Sequence, residues 1–143
     1  MMLNDEQILS SMLHTVQMGQ TGIRSVISRA INPDLKKELK DQLQEYDSLE
    51  KETLSLAKNK GLTLKDLNPA LETMSSMMSW IQLLGGEVDS KIAGMLIQGN
   101  TRGMILGMKN LRKAQKTDPQ VRDLAQRVLN RENMNIHKSQ PYL

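Results

Sequence analysis

The chain contains no cysteine and no phenylalanine, and its aromatic residues are one tryptophan, Trp80, and two tyrosines, Tyr46 and Tyr142. Without cysteine there are no disulfides, no thiolate metal ligands and no cysteine nucleophile, which fits a reducing compartment. Without aromatics the core must be filled by Leu, Ile, Val and the 11 methionines, which suit helices better than sheets. No apolar run approaches the ~18–20 residues needed to span a bilayer. Met1–Glu6 lacks the basic and apolar regions of a signal peptide, so cytoplasmic residence without membrane association is expected. Catalytic signatures are missing too. There is no phosphate-binding Gly-Lys-Ser/Thr loop, no nucleophile elbow and no His-Glu-x-x-His, and the Gly-x-x-Gly at 19–22 sits inside a helical pattern where it cannot cradle phosphate.

What is present describes an ordered domain. The 143 residues fit one unit, 1–143, large enough to bury roughly two thirds of its unfolded surface without staples. Apolar residues at 38% and charged residues at 24% argue against disorder. The net charge of +3 is uneven: residues 1–101 carry 10 Lys/Arg against 13 Asp/Glu, and residues 102–143 carry 9 against 3. A basic C-terminal third could hold an acidic partner or nucleic acid. The local reading is preferred, because Lys109, Arg112, Lys113 and Lys116 close a helix, where cations complement the dipole. Nucleic acid is not an expected partner.

Helix punctuation is clear along the chain. Asn4 is a good N-cap with Asp5 and Glu6 in the first turn, and Ile8, Met12, Val16, Gly19, Ile23, Val26 and Ala30 form a helical stripe. Asn32-Pro33-Asp34 stops that helix and starts the next, whose stripe is Leu35, Leu39, Gln42, Tyr46, Leu49, Thr53 and Leu56, ending at Lys60-Gly61. Asn68-Pro69 opens a shorter helix through Leu71, Met74, Met77/Met78, Ile81 and Leu84, closed by Gly85-Gly86. Asp89 or Ser90 caps a third long helix through Ile92, Leu96, Gly99, Gly103 and Leu106 to about Gln115. Asp118-Pro119 opens the last, carrying Val121, Leu124/Ala125, Val128, Glu132, Asn135 and Ser139, and Pro141 ends it. No stretch alternates with period two, so strands are not expected. The first two helices, each about 40 Å long at 1.5 Å per residue, are antiparallel neighbours across a tight turn. The long connection between helices two and three makes those two parallel, an up-and-down bundle with one crossover.

Several of these segments resemble a ferritin-like group of unknown function. Gly19-Gln20-Thr21-Gly22 is similar to its mid-helix Gly-acid-acid-Gly motif, and Ile31-Asn32-Pro33-Asp34-Leu35 to its turn. Gln98-Gly99-Asn100-Thr101 is similar to its Arg-Gly-Glu-Asp segment, and Glu132 to Leu143 to its Glu-x-x-His helix ending in Pro-Tyr-Leu. Bacterial spore-coat proteins of the same helical type are similar in the first hairpin. The resemblance implies an all-α, ferritin-like four-helix bundle with a short extra helix between helices two and three. It also implies where a two-metal centre would sit: two helices each supply a Glu and two supply Glu-x-x-His, one turn apart on one face. Here helix one offers Gln20 (or Gln17), helix two Glu45 then Ser48, helix three Gln98 or Asn100, and helix four Glu132 then Asn135. Half the carboxylates and both histidines of that pattern are missing, and His137, five residues past Glu132, points about 140° away.

The expectation is therefore a non-catalytic bundle with neither metal nor cofactor. Gln20, Glu45, Gln98 and Glu132 would form a buried polar layer. Arg24 and Arg102, each four residues after a layer position, either turn in to pair with Glu45 or Glu132 or reach solvent while the amides bond the carboxylates. A metal-binding protein, an iron or manganese oxidase or store with a rearranged site at Glu45 and Glu132, is the alternative. A third reading is an accessory protein holding an acidic partner on its basic last helix. Met74/Met78 and Met104/Met108 have spacings that suit Cu(I), but filling a core without aromatics explains them better. Gly94, Gly99, Gly103 and Gly107, with Gly19 and Gly22, each cost about 1 kcal/mol against Ala in a helix. They predict close packing between helices one and three, or a homodimer through this Gly/Met-rich face, beside an unidentified protein partner.

Overall fold

The computed structural model describes residues 2–65, 86–114 and 116–143, and among them there are α-helices and short 3-10 turns but no strand. Helix α1 (Asp5–Val26) opens with a reciprocal cap: the Asn4 side chain accepts from the Gln7 amide at 2.8 Å, and the Gln7 side chain accepts from the Asn4 amide at 3.0 Å. That arrangement satisfies two of the donors a helix start leaves free. A 3-10 turn at Ile27–Arg29 follows. Asn32 then caps α2 (Pro33–Asn59) by accepting from the Asp34 amide, with Pro33 at the first position. At 22 residues α1 is about 33 Å long, shorter than expected, while the 27 residues of α2 give about 40 Å.

Helix α2 ends as its Lys-Gly pair predicts. Gly61 takes a φ of +70°, a conformation that side chains disfavour, and the Gly61 and Leu62 amides donate to the Lys58 and Ala57 carbonyls at 3.0 and 2.8 Å. Helix α3 (Val88–Arg112) starts earlier than expected, with Glu87 at its cap rather than Asp89 or Ser90, and stops three residues before Gln115. Asp89 is engaged elsewhere: its carboxylate accepts the Ile31 and Asn32 amides at 2.8 and 3.0 Å. Helix α4 (Pro119–Ser139) is capped by Asp118, which accepts from the Gln120 amide at 2.7 Å, and Pro141 lies in a closing 3-10 turn, Gln140–Tyr142. The short helix expected over 68–84, with Met74, Met77 and Met78, lies outside the described residues.

Two sets of contacts fix the helix directions. At one end Lys60 Nζ lies 3.2 Å from Asp5 and 2.6 Å from Asp118, the Asp118 amide donates to Asp5, and the Leu3 amide donates to the Lys113 carbonyl. This end gathers the start of α1, the ends of α2 and α3 and the start of α4. The Asp89 clamp ties the α1–α2 turn to the start of α3 at the other end. So α1 and α4 run one way, and α2 and α3 the other. The chain enters α3 at the end opposite the one where α2 stops.

The inward stripes of α1, α2 and α4 fall as their spacing predicts. Ile8, Val16, Ile23 and Val26 meet Leu35, Leu39 and Leu49 and the α4 residues Val121, Leu124 and Val128, all of them buried. Side chains of this size each gain about 1.5–3 kcal/mol from burial. The α3 stripe is buried only in its first half. Ile92 and Leu96 are in the core, but Gly99 is exposed and Leu106 is 45% exposed, because past Leu96 a cavity opens between α1 and α3. Among the described residues no helix is long and apolar enough to cross a membrane.

Candidate functional site

The expected layer of Gln20, Glu45, Gln98 and Glu132 does not form. Glu45 is exposed and pairs with Arg131 at 3.3 Å; Ser48 and Gln98 are exposed as well. Gln20 is buried but faces the flank of α2, where its amide donates to Asp47 at 2.8 Å and to Glu50 at 3.3 Å, beside the Gln17 bond to Glu50 at 3.0 Å. Arg24 reaches Asp47 at 3.6 Å rather than Glu45, and Arg102 is exposed at the cavity, so neither neutralises the centre. The physical reason is register. On α2 the buried face runs through Gln42, Tyr46, Leu49 and Thr53, and Glu45 lies about 100° from Tyr46. On α3 Asn100 follows Leu96 by one turn and is buried, whereas Gln98 is off that face.

Three of the expected positions do converge, around a residue not expected to matter. The Tyr46 hydroxyl lies 2.8 Å from Asn100 Oδ1 and 3.2 Å from Glu132 Oε1, and Asn135 Nδ2 donates to it at 3.2 Å. Tyr46, Asn100, Glu132 and Asn135 are each at most 4% exposed. Asn100 Nδ2 donates back to the Leu96 carbonyl at 2.8 Å, which orients the amide so that its oxygen faces the tyrosine. The sequence carried one sign of this hub: an aromatic with a polar tip standing alone on an aliphatic stripe, a tip that needs a partner when buried.

A hydroxyl has one proton and two lone pairs. The proton of Tyr46 can serve Asn100, the shorter contact, or Glu132, and Asn135 donates to the hydroxyl oxygen. With the hydroxyl proton on Asn100 the Glu132 contact needs a protonated carboxyl; with the carboxyl ionised the Tyr46 hydroxyl donates to Glu132 instead. Burial favours the protonated carboxyl and pushes Glu132 up to about 8, while the Tyr46 hydroxyl, donating to the ionised form, opposes the shift. Burial, and after it the charge of Glu132, also holds Tyr46 well above its ordinary range.

Two glycines make room for this cluster. A Cβ on Gly19 would fall 2.5–2.9 Å from the Tyr46 ring, and one on Gly103 would fall 3.1–3.4 Å from the Glu132 carboxyl. Gly107 faces Leu129 on α4, and nothing lies within 4 Å of a Cβ on Gly99. The small residues of α3 therefore admit α4 rather than α1, contrary to the expected helix-one packing. Above the cluster lies a cavity of about 600 Å3. Met18 and Ile23 of α1 and Met95, Leu96 and Leu106 of α3 wall it, and Gln42, Tyr46, Asn100 and Glu132 line it.

As a metal centre the donor set is poor. Glu132 is the one carboxylate among the four clustered side chains, the others being two amides and a phenol. Among the described residues no three His, Cys, Asp or Glu side chains are placed to hold a metal ion. His14 contacts the Lys65 carbonyl at 3.3 Å, and His137 is exposed, as its offset from Glu132 predicts. Of the methionines considered for copper, Met74 and Met78 lie outside the described residues, and Met108 is 45% exposed.

No family model and no curated protein matches the chain. The fold does have a counterpart among solved structures. A conserved hypothetical protein, rv2844, from Mycobacterium tuberculosis is similar over 97% of this chain and 96% of its own, with a TM-score of 0.75 at 12% sequence identity. At that identity the likeness concerns the fold alone.

Proposed function

We propose that this is a non-catalytic, ferritin-like helical bundle that acts by binding other molecules, its two-metal centre replaced by a proton-held hydrogen-bond network. The observation that carries the reading is the Tyr46–Asn100–Glu132–Asn135 cluster, in which the one carboxyl is buried, pushed up to about 8 by that burial, and bonded to a tyrosine. Hard di- or trivalent cations need several anionic oxygens, and this cluster offers one. The opposed directions of α1 and α2, and of α3 and α4, with α2 and α3 parallel, support the ferritin-like arrangement. A role in a coat or a stress response agrees with the first-hairpin resemblance.

Self-association through the α3 face belongs to the same proposal. Ile105, Leu106 and Met108 are each 45% exposed, an apolar group that a second copy could cover. The experiment for the central reading is titration of purified protein with ferrous and manganous ions. Weak, non-stoichiometric uptake is expected, unchanged in Glu132→Gln. Tight, stoichiometric uptake abolished by that substitution would instead establish the metal-binding alternative.

A further inference from the structure

Glu132 is a buried acid that the bundle leaves without a cation. Its side chain is 2% exposed, and among the described residues it has no ion pair. Its chain neighbour Arg131 turns to Glu45 at 3.3 Å, and Arg102, on the cavity wall, is exposed. One carboxyl oxygen, Oε1, meets the Tyr46 hydroxyl. The other, Oε2, makes no hydrogen bond among the described residues, and it is not sealed. The unpartnered polar atoms without exposed surface are Glu38 Oε2, Gln42 Oε1 and Asn135 Oδ1. The surface that Oε2 keeps opens on the α1–α3 cavity, which Glu132 lines. Two glycines of α3, Gly99 and Gly103, stand one turn apart on that wall, and a Cβ on Gly103 would lie 3.2 Å from Oε2. The cavity volume of about 600 Å3 falls within the ~300–1,000 Å3 of small-molecule sites.

A carboxyl without a counter-ion, at the end of an apolar cavity, selects a base on an apolar chain. A carboxylate head would set two acids against each other. An alcohol could bond Oε2 but would make only a neutral contact. A primary amine is charged at pH 7, its ordinary pKa being close to the ~10.4 of lysine. Beside that charge the carboxyl, which burial holds at about 8, releases its proton to solvent. The contact then becomes charge-assisted, roughly twice as strong as a neutral hydrogen bond. Drying two charges is offset only where further bonds reach them, and the network provides one. With Glu132 ionised the Tyr46 hydroxyl donates to Oε1, and Asn100 Oδ1, relieved of that bond, accepts from the ammonium. We propose that the cavity binds a primary aliphatic amine, its ammonium on Glu132 Oε2 and Asn100 Oδ1 and its chain along Met18, Met95 and Leu106.

The proposal rests on the reading of Glu132 as a carboxyl that holds no metal, and the two fail distinguishably. Tight ferrous or manganous uptake sinks both, whereas weak uptake without amine binding sinks this one alone. The test is titration calorimetry of the whole chain at pH 7 with octylamine, 1-octanol and octanoate. Saturable one-to-one binding of octylamine is expected, at least tenfold tighter than either analogue. Glu132→Gln keeps the volume and removes the charge. It should weaken octylamine about tenfold, the equivalent of 1.4 kcal/mol, and leave 1-octanol within about threefold. Gly99→Leu, at a cavity-lining position where a Cβ meets nothing within 4 Å, keeps the fold and should abolish octylamine binding by occupying the space. A flat octylamine titration overturns the proposal, and so does full-strength octylamine binding by either variant. Equal or tighter binding of 1-octanol overturns it by showing that the apolar walls alone select the ligand. Equal or tighter binding of octanoate overturns it by placing the head at Arg102.

Discussion

Tyr46 has a single proton and three polar neighbours, and each bond that joins the three helices at the buried centre passes through its hydroxyl. Removing that oxygen strands Asn100, Asn135 and Glu132 together. Tyr46→Phe should therefore cost about 2–3 kcal/mol, more than one ordinary hydrogen bond, measured as a shift in the urea midpoint at constant slope. Mid-helix glycines should part company in the same assay. Gly19→Ala pushes a Cβ into the Tyr46 ring and should destabilise by about 1–3 kcal/mol. Gly99→Ala meets open space and should stabilise by up to ~1 kcal/mol through helix propensity. Spacing could not separate the two, because helical period reports which face a residue is on and not how near the neighbouring atom stands.

Individual helices were legible from their ends and stripes. Asn4, Asn32 and Asp118 all cap where they were expected to, because a short polar side chain before an apolar stripe has few other uses. Asp89 was the exception, since an acidic residue in a first turn can serve a distant backbone instead of its own. Its carboxylate holds the Ile31 and Asn32 amides, a contact 57 residues or more away in sequence that no local pattern reveals. Asp89→Ala should cost about 1–2 kcal/mol and speed amide exchange at Ile31 and Asn32. Ser90→Ala should leave the denaturation midpoint within about 0.5 kcal/mol. The layer at Glu45 and Gln98 failed for a different reason. The apolar stripes turn Tyr46 and Leu96 inward, and the family motif stands one or two residues out of step with them. Where periodicity and motif disagree, the burial of the apolar residues decides the register.

On the scale of the molecule, the buried centre links fold stability to pH. Glu132 titrates near 8 when folded against an ordinary value of 4.5, so between those values the folded state holds a proton that the unfolded chain has released. Its contribution is fully present below about pH 4.5 and is lost as pH rises towards 8, by on the order of a few kcal/mol. Asp118 acts in the opposite sense. Lys60 lowers its carboxyl, so its contribution is present above the carboxylate range and lost on acidification. Thermal melts of Glu132→Gln and the parent isolate the first effect: the two should match near pH 5, and the variant should be the more stable at pH 8.5. The bundle and most of its core could be read from stripes and caps. The proton at its centre could not, because it depends on four side chains from three helices meeting within hydrogen-bond distance.

That proton can be observed directly. Carbon-13 labelling of the glutamates, with the side-chain carboxyl shift of Glu132 followed from pH 4 to pH 10 and assigned by its absence in Glu132→Gln, reports its ionisation in the folded protein. The account predicts a protonated carboxyl at pH 7 and a midpoint near 8. A carboxylate already ionised at pH 5, or a shift that jumps on adding ferrous or manganous ions at one equivalent, would contradict it.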